Sequence, residues 1–146
     1  EYTMQPIGTI HSPFTQLEGM PIQASRSQAI GQVSVFPHYA EGMEGLEGFS
    51  HDFLLYVFHC STGYELKVKP FLDDAPHGLF ATRFPCRPNP IGLSVVRILS
   101  LHDHILEIAG VDVLDGTPLL DIKPYVEDFD VRTGTRTGWY ETRSKK

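Results

Sequence analysis

The sequence predicts a mostly β fold, an antiparallel barrel or sandwich with one or two short helices, and three observations carry that expectation. Short runs rich in Val, Ile, Phe and Tyr recur along the chain, clusters of Gly, Pro, Asn and Asp separate them, and few stretches look like long helices. With 13 Gly and 11 Pro among 146 residues, the composition points to many turns rather than to disorder. A chain of this length buries one sizeable core, so residues 1–146 are expected to form a single domain, with a basic tail from about residue 131.

Taken in order, Gln5 to Ile10 and Gly31 to Phe36 alternate and read as strands. The run YAEGMEGLEGF, from Tyr39 to Phe49, spaces Met43 and Leu46 three apart, as a short amphipathic helix does, in spite of its three glycines. HDFLLYVFHC is a continuous apolar run of strand length, expected as a buried central strand. Glu65 to Lys69 alternates again, and GLFATR leads into the segment TRFPCRPNPIGLS. IGLSVVRILSL and ILEIAGVDVL flank His102-Asp103-His104 as the two arms of a hairpin. Asp115-Gly116-Thr117-Pro118 is a strong turn signal before a last strand, LLDIKPY.

Composition also excludes function classes. The longest apolar run falls far below the ~20 residues of a membrane span, and EYTMQPIGTI lacks the basic and apolar regions of an export signal. Cys60 and Cys86 give neither a disulfide framework nor a paired zinc motif, so a reducing compartment, the cytoplasm, is expected. No metal is expected either: the seven histidines lack ligand spacing, and His102-x-His104 reads as a polar turn. A net charge of −6 argues against indiscriminate binding of nucleic acid, yet residues 131–146 carry Arg132, Arg136, Arg143, Lys145 and Lys146 against Glu141 alone. That tail is either a solvated end or a polyanion contact. Ser50-His51-Asp52 has the letters of a catalytic triad, but adjacent strand residues point to opposite faces and cannot form the relay.

The segment from Thr82 to Ser94 is the unusual one. Pro85, Pro88 and Pro90 bias Phe84, Arg87 and Asn89 to extended geometry, and they remove backbone donors, so this strip is not a central strand. Arg83 and Arg87, four apart in an extended chain, are expected to project toward the same side as Asn89. A stiff backbone carrying two guanidinium groups suits a carboxylate or a phosphate, because little ordering entropy is lost on contact. The alternative is a plain loop whose arginines pair with the chain's own carboxylates.

ATRFPCRPNPIGLS, with LEGFSHDFLLYVF upstream and GVDVLDGTPLLDIKPY downstream, resembles the TsaA-like, or TrmO-like, family of S-adenosylmethionine-dependent tRNA methyltransferases. The likeness runs from IGTIHSPF to GWYE, with three long motifs in the same order. It implies a compact antiparallel β-barrel without a Rossmann sheet, working as a homodimer. It implies S-adenosyl-L-methionine as cofactor and tRNA as partner, with methylation at N6 of threonylcarbamoyl-adenosine next to the anticodon. By position the family's cofactor contacts fall on Ala24, Ser25 and Arg26, on Cys60 and Ser61, on Arg83 and Leu93, and on Ala109, Gly110, Val111 and Asp112. Arg83 suits the cofactor's carboxylate, and Asp112 or Asp115 suits its sulfonium. The chain departs from the family's commoner wording at Ile22, Phe84 and Cys86.

For catalysis, Asp115 in the DGTP turn is expected to act as base or orienting acceptor, with an ordinary turn role as its alternative. Asn89, between two prolines, is expected to accept hydrogen bonds from the target amino group, and Arg87, Lys123 and Tyr125 to contact substrate. Two other readings stay open: a methyltransferase for small molecules, and a module that binds S-adenosylmethionine without catalysis.

Overall fold

The computed structural model describes residues 1–16 and 27–142. The chain, expected to be one domain, divides into two compact units: Glu1–His59 with Ile91–Tyr125, and Cys60–Pro90 with Val126–Lys146. Its strands are β1 (Gly8–His11), β2 (Ile30–Val35), β3 (His51–Val57), β4 (Lys67–Val68), β5 (His77–Gly78), β6 (Ile91–His102), β7 (Ile105–Ala109) and β8 (Thr117–Pro124).

The first unit is a closed barrel, β1-β2-β7-β6-β3-β8, with every neighbouring pair antiparallel. The β expectation is borne out, and closure decides for barrel over sandwich, removing the exposed edges that an open sheet leaves. Period-two alternation sends Ile10, Val33, Leu54, Tyr56, Val96, Leu106, Ile108 and Leu119 into the interior, all at 3% exposure or less. The predicted hairpin forms across a two-residue turn at Asp103 and His104, with Asp103 at φ 53. β6 serves two neighbours, pairing with β3 from Ile91 to Arg97 and with β7 from Arg97 onward, and an irregularity between Ile98 and Ser100 bends it. Tyr56 stands opposite Gly92, where any side chain would run into the tyrosine ring, so glycine is the residue that lets this ring lie in the barrel.

Three sequence expectations are corrected. The helix expected from Tyr39 to Phe49 is two 3-10 turns, Pro37–Met43 and Leu46–Gly48, broken where Gly45 takes φ 94; Met43 and Leu46 are buried as their spacing required. The arm ILEIAGVDVL ends as a strand at Ala109, because Gly110 at φ 95 turns the chain, and Val111 and Val113 then enter the core from an irregular segment. HDFLLYVFHC is a wall strand that buries only alternate residues, Asp52, Leu54 and Tyr56, rather than a strand covered on both faces.

Asp52 is therefore a carboxyl group inside a hydrocarbon core. It is fully buried, and neither oxygen has a hydrogen-bond partner among the described residues. Desolvation pushes its pKa up from 3.8 to about 7. Its neighbours in sequence lie apart from it: Ser50 Oγ and His51 Nδ1 are 2.8 Å apart, while Asp52 turns to the interior, so no triad forms.

The second unit is small and turn-rich. β4 and β5 pair as a two-stranded ribbon with Lys67 opposite Gly78. The strand expected over Glu65 to Lys69 is thus only two residues long. Leu79, at 1% exposure, anchors a 3-10 turn at Leu79–Ala81, and its N–H donates to Leu66 O at 2.8 Å. The Trp139 indole donates to Ala81 O at 2.7 Å and stacks on His77 at 5.1 Å, and His77 Nε2 meets Asp73 Oδ2 at 2.6 Å. One short α-helix, α1 (Glu127–Asp130), is held where Val126 N–H donates to Asp130 Oδ2.

Candidate functional site

In the barrel unit the segment after β7 gathers the predicted residues. Gly110 and Val111 N–H groups donate to Ala29 O at 2.8 and 3.2 Å, Ser27 Oγ to Val111 O at 2.7 Å, and Ser12 Oγ to Val113 O at 2.6 Å. These bonds tie the segment to the stretches flanking β1 and β2 and hold the backbone of Ala109, Gly110, Val111 and Asp112 in one conformation. Asp112 Oδ1 accepts from Ser94 Oγ at 2.7 Å, and Ser94 Oγ lies 2.8 Å from the Tyr56 hydroxyl. Sequence reasoning missed Ser94 and Tyr56. The available signal was a serine at an inward position of β6, between Gly92 and Val96 in an otherwise apolar row.

Leu93, the neighbour of Ser94, faces the other way and is 51% exposed. It supplies an apolar outer surface on β6 together with Ile91 and Val95. Asp115 Oδ1 accepts from Ser12 N–H at 3.1 Å and meets His11 Nδ1 at 3.3 Å, while Gly116 at φ 86 makes the predicted turn. Lys123 is exposed and pairs with Asp121 at 3.7 Å. The Tyr125 ring lies 5.6 Å from Phe53 and 6.3 Å from His51, an outer-wall contact at the end of β8.

In the second unit the proline segment is built differently from the expectation. Arg87 Nη1 donates to Thr82 O at 3.0 Å and to Phe84 O at 2.9 Å, so the guanidinium braces its own loop and uses carbonyls that the prolines leave without backbone donors. Thr82 Oγ1 completes the brace, donating to Leu79 O at 2.8 Å and accepting from Phe84 N–H at 3.2 Å. Arg87 is half-buried, whereas Arg83 is exposed. Asn89 is exposed with no side-chain hydrogen bond among the described residues. Cys60 is exposed, Ser61 half-buried and Cys86 partly buried. Ala24, Ser25, Arg26 and Ile22 lie outside the described residues. Among the described residues no three His, Cys, Asp or Glu side chains stand together as a metal site, and no helix is long and apolar enough to cross a membrane.

An S-adenosyl group asks for oxygen atoms near its sulfonium and ammonium, an apolar wall, backbone partners for adenine and a cation for its carboxylate. The residues present fit that chemistry. In the barrel unit Asp112 is an oriented carboxylate and Leu93 an exposed apolar surface; in the second unit Arg83 is an exposed cation.

Comparison with known proteins gives the same direction. The profile of the tRNA-methyltransferase O N-terminal domain matches residues 9–131. A Pyrococcus abyssi protein named a probable S-adenosyl-L-methionine-binding protein is 53% identical over 143 residues, covering 97% of this chain and 78% of its own length. A tRNA (adenine(37)-N6)-methyltransferase of Mus musculus is 40% identical over 134 residues, covering 86% of this chain and 31% of the mouse protein. The crystal structure of TrmO from Pseudomonas aeruginosa matches with a TM-score of 0.81 at 39% identity, covering 94% of this chain and 62% of that one. The chain thus spans about three fifths of the solved TrmO and under a third of the mouse enzyme.

Proposed function

The chain belongs to the tRNA-methyltransferase O N-terminal domain family, and from that premise we propose that it is an S-adenosylmethionine-dependent tRNA methyltransferase. Its target is N6 of the (threonylcarbamoyl)adenosine at position 37, next to the anticodon. The observation that carries this reading is the 39% identity to TrmO from Pseudomonas aeruginosa across 94% of the chain at a TM-score of 0.81. Relatives named for S-adenosylmethionine binding and for adenine-37 methylation support the cofactor and the substrate in turn. Homodimeric assembly and a cytoplasmic location, where tRNA is modified, belong to the same proposal.

S-adenosylmethionine supplies an electrophilic methyl group on a sulfonium. The chain's own work is then to align the target nitrogen, to exclude water and to take one proton from that nitrogen. In the barrel unit we assign the cofactor to Leu93, to the backbone of Ala109, Gly110 and Val111, and to the Asp112 carboxylate. In the second unit we assign it to Cys60, Ser61 and Arg83, with Arg83 on the carboxylate. Asn89 offers an exposed amide oxygen to the target amino group. Asp115, whose Oδ2 makes no hydrogen bond with the described residues, is the candidate base. Lys123 and Tyr125 keep a substrate-contact role, while Arg87 shapes the segment that presents Asn89.

The test is to incubate purified protein with labelled S-adenosylmethionine and unfractionated tRNA that lacks the modification, and then to analyse the nucleosides. Label in N6-methyl threonylcarbamoyl-adenosine is the expected result. Tight cofactor binding with no label in any nucleoside would leave a binding module instead.

A further inference from the structure

The second unit carries a groove of about 610 Å³ that no predicted role uses, within the range of roughly 300–1,000 Å³ typical of small-ligand clefts. Lys67 and Lys69 line it, with Tyr64, Phe84 and Cys86. The two lysines stand two residues apart along an extended chain and so share a face. Neither has a carboxylate within ion-pair distance among the described residues, and Glu65 is the single acid of the lining as described. Phe71 stacks on Phe84 at 5.5 Å and 29°, yet is itself 69% exposed; Tyr64 is 54% exposed. Charge follows the same division. The second unit holds nine of the twelve Lys and Arg against seven of the eighteen Asp and Glu, net +2, while the barrel unit holds three against eleven, net −8.

Exposed aromatic faces beside unpaired ammonium groups suit a ligand that is planar and anionic in alternation, which describes an unpaired nucleic-acid strand. An acidic peptide would use the lysines and leave the stacked rings without purpose; a duplex would keep its base faces covered. Resting on the RNA-methyltransferase reading above, we propose that this groove binds unpaired nucleotides of the RNA substrate, with phosphates on Lys67 and Lys69 and a base on the Phe71–Phe84 platform.

The experiment measures binding of the full chain to a labelled hairpin RNA with an unpaired loop and to a fully paired duplex of equal length, across a range of salt. Wild type is expected to prefer the hairpin several-fold. The Lys67→Ala, Lys69→Ala double variant is expected to lower the slope of log affinity against log salt by about 1.4, from two lost single-strand phosphate contacts. Phe71→Ala is expected to weaken hairpin binding roughly tenfold with the slope kept, and Phe71→Trp to restore it. S-adenosylmethionine affinity, measured on each variant, stays at the wild-type value and reports that the fold is intact. Hairpin binding and slope unchanged in the variants would overturn the groove while tRNA methylation stood. The expected variant pattern without methyl transfer supports the groove and removes the methyltransferase reading instead. Equal affinity for duplex and hairpin, no RNA binding by wild type, or displacement by a polyglutamate peptide independent of Phe71 each overturns the proposal.

Discussion

Ser94 Oγ lies 2.7 Å from Asp112 Oδ1 and 2.8 Å from the Tyr56 hydroxyl. Ser94 has one proton to give, and a carboxylate has none, so that proton goes to Asp112 and the tyrosine hydroxyl donates to Ser94. The chain of donors runs from β3 through β6 to the segment after β7, and it fixes the direction of a carboxylate that the proposed cofactor needs. Three elements that are remote in sequence become one unit through it.

Replacing Ser94 with Ala is expected to lower stability by about 1–3 kcal/mol, since the bridge between two buried or half-buried polar groups is lost. S-adenosylmethionine affinity should fall with it, because Asp112 loses one of the contacts that orient its carboxylate. Tyr56→Phe should weaken both effects, and the double variant should cost less than the two singles added, with a coupling of about 0.5–3 kcal/mol. Denaturant unfolding and calorimetry give both numbers; strict additivity would mean that the three groups act separately.

Asp52 makes stability depend on pH. Its pKa is about 7 in the folded protein against 3.8 for the free group, so the folded state holds the proton more tightly. The sign follows: the group's contribution is fully present below pH 3.8, is lost progressively as pH rises toward 7, and above that the loss stays constant at about 4 kcal/mol. Asp52→Asn is expected to remove this slope and to be more stable than wild type at pH 8, with the two proteins drawing together near pH 4. Parallel unfolding curves of the two proteins between pH 4 and pH 8 would show that the core carboxyl is relieved by some other group.

A methyl group at position 92 has no room, because it would meet the Tyr56 ring across the β3–β6 pair. Gly92→Ala is therefore expected to cost about 1–3 kcal/mol through displacement of that ring, and to disturb Ser94 and Asp112 with it. Gly78→Ala is the control: nothing lies within 4 Å of an added Cβ there, and its φ of −58° is open to alanine. Equal melting temperatures for the two variants would contradict the packing described.

How far the sequence foretold this structure depends on the element. β2 was readable because its inward and outward residues alternate, β3 because it is a continuous apolar run of strand length, β8 because the turn Asp115-Gly116-Thr117-Pro118 announces it, and the β6–β7 hairpin because two apolar runs flank His102-Asp103-His104. The segment Gly110–Leu114 misled because Val111 and Val113 also alternate with Asp112, so a plug that enters the core resembles a strand that lines it. Arg87 misled for a different reason. Extended geometry gave its direction along the chain, but not that carbonyls left idle by prolines would capture the guanidinium locally. Ser94 and Tyr56 carried no site signal of their own: the β3–β6 pairing sets Tyr56 beside Ser94, and the β6–β7 register, continued past Arg97 and Ala109, sets Asp112 opposite Ser94.

Asp115 separates a turn role from a catalytic one. Its Oδ1 already accepts from Ser12 N–H and meets His11 Nδ1, contacts that a turn residue would make. Asn in its place keeps a carbonyl oxygen for Ser12 N–H and loses the capacity to take a proton, so the fold and cofactor affinity should survive Asp115→Asn. If the carboxylate is the base, turnover with tRNA should fall by about 10²- to 10⁴-fold with KM little changed. Asn89→Ala should give the same division, normal cofactor binding with failed transfer, because it removes an acceptor and not a structural bond. Wild-type turnover in Asp115→Asn would return Asp115 to the turn and leave Asn89 as the group that prepares the nitrogen.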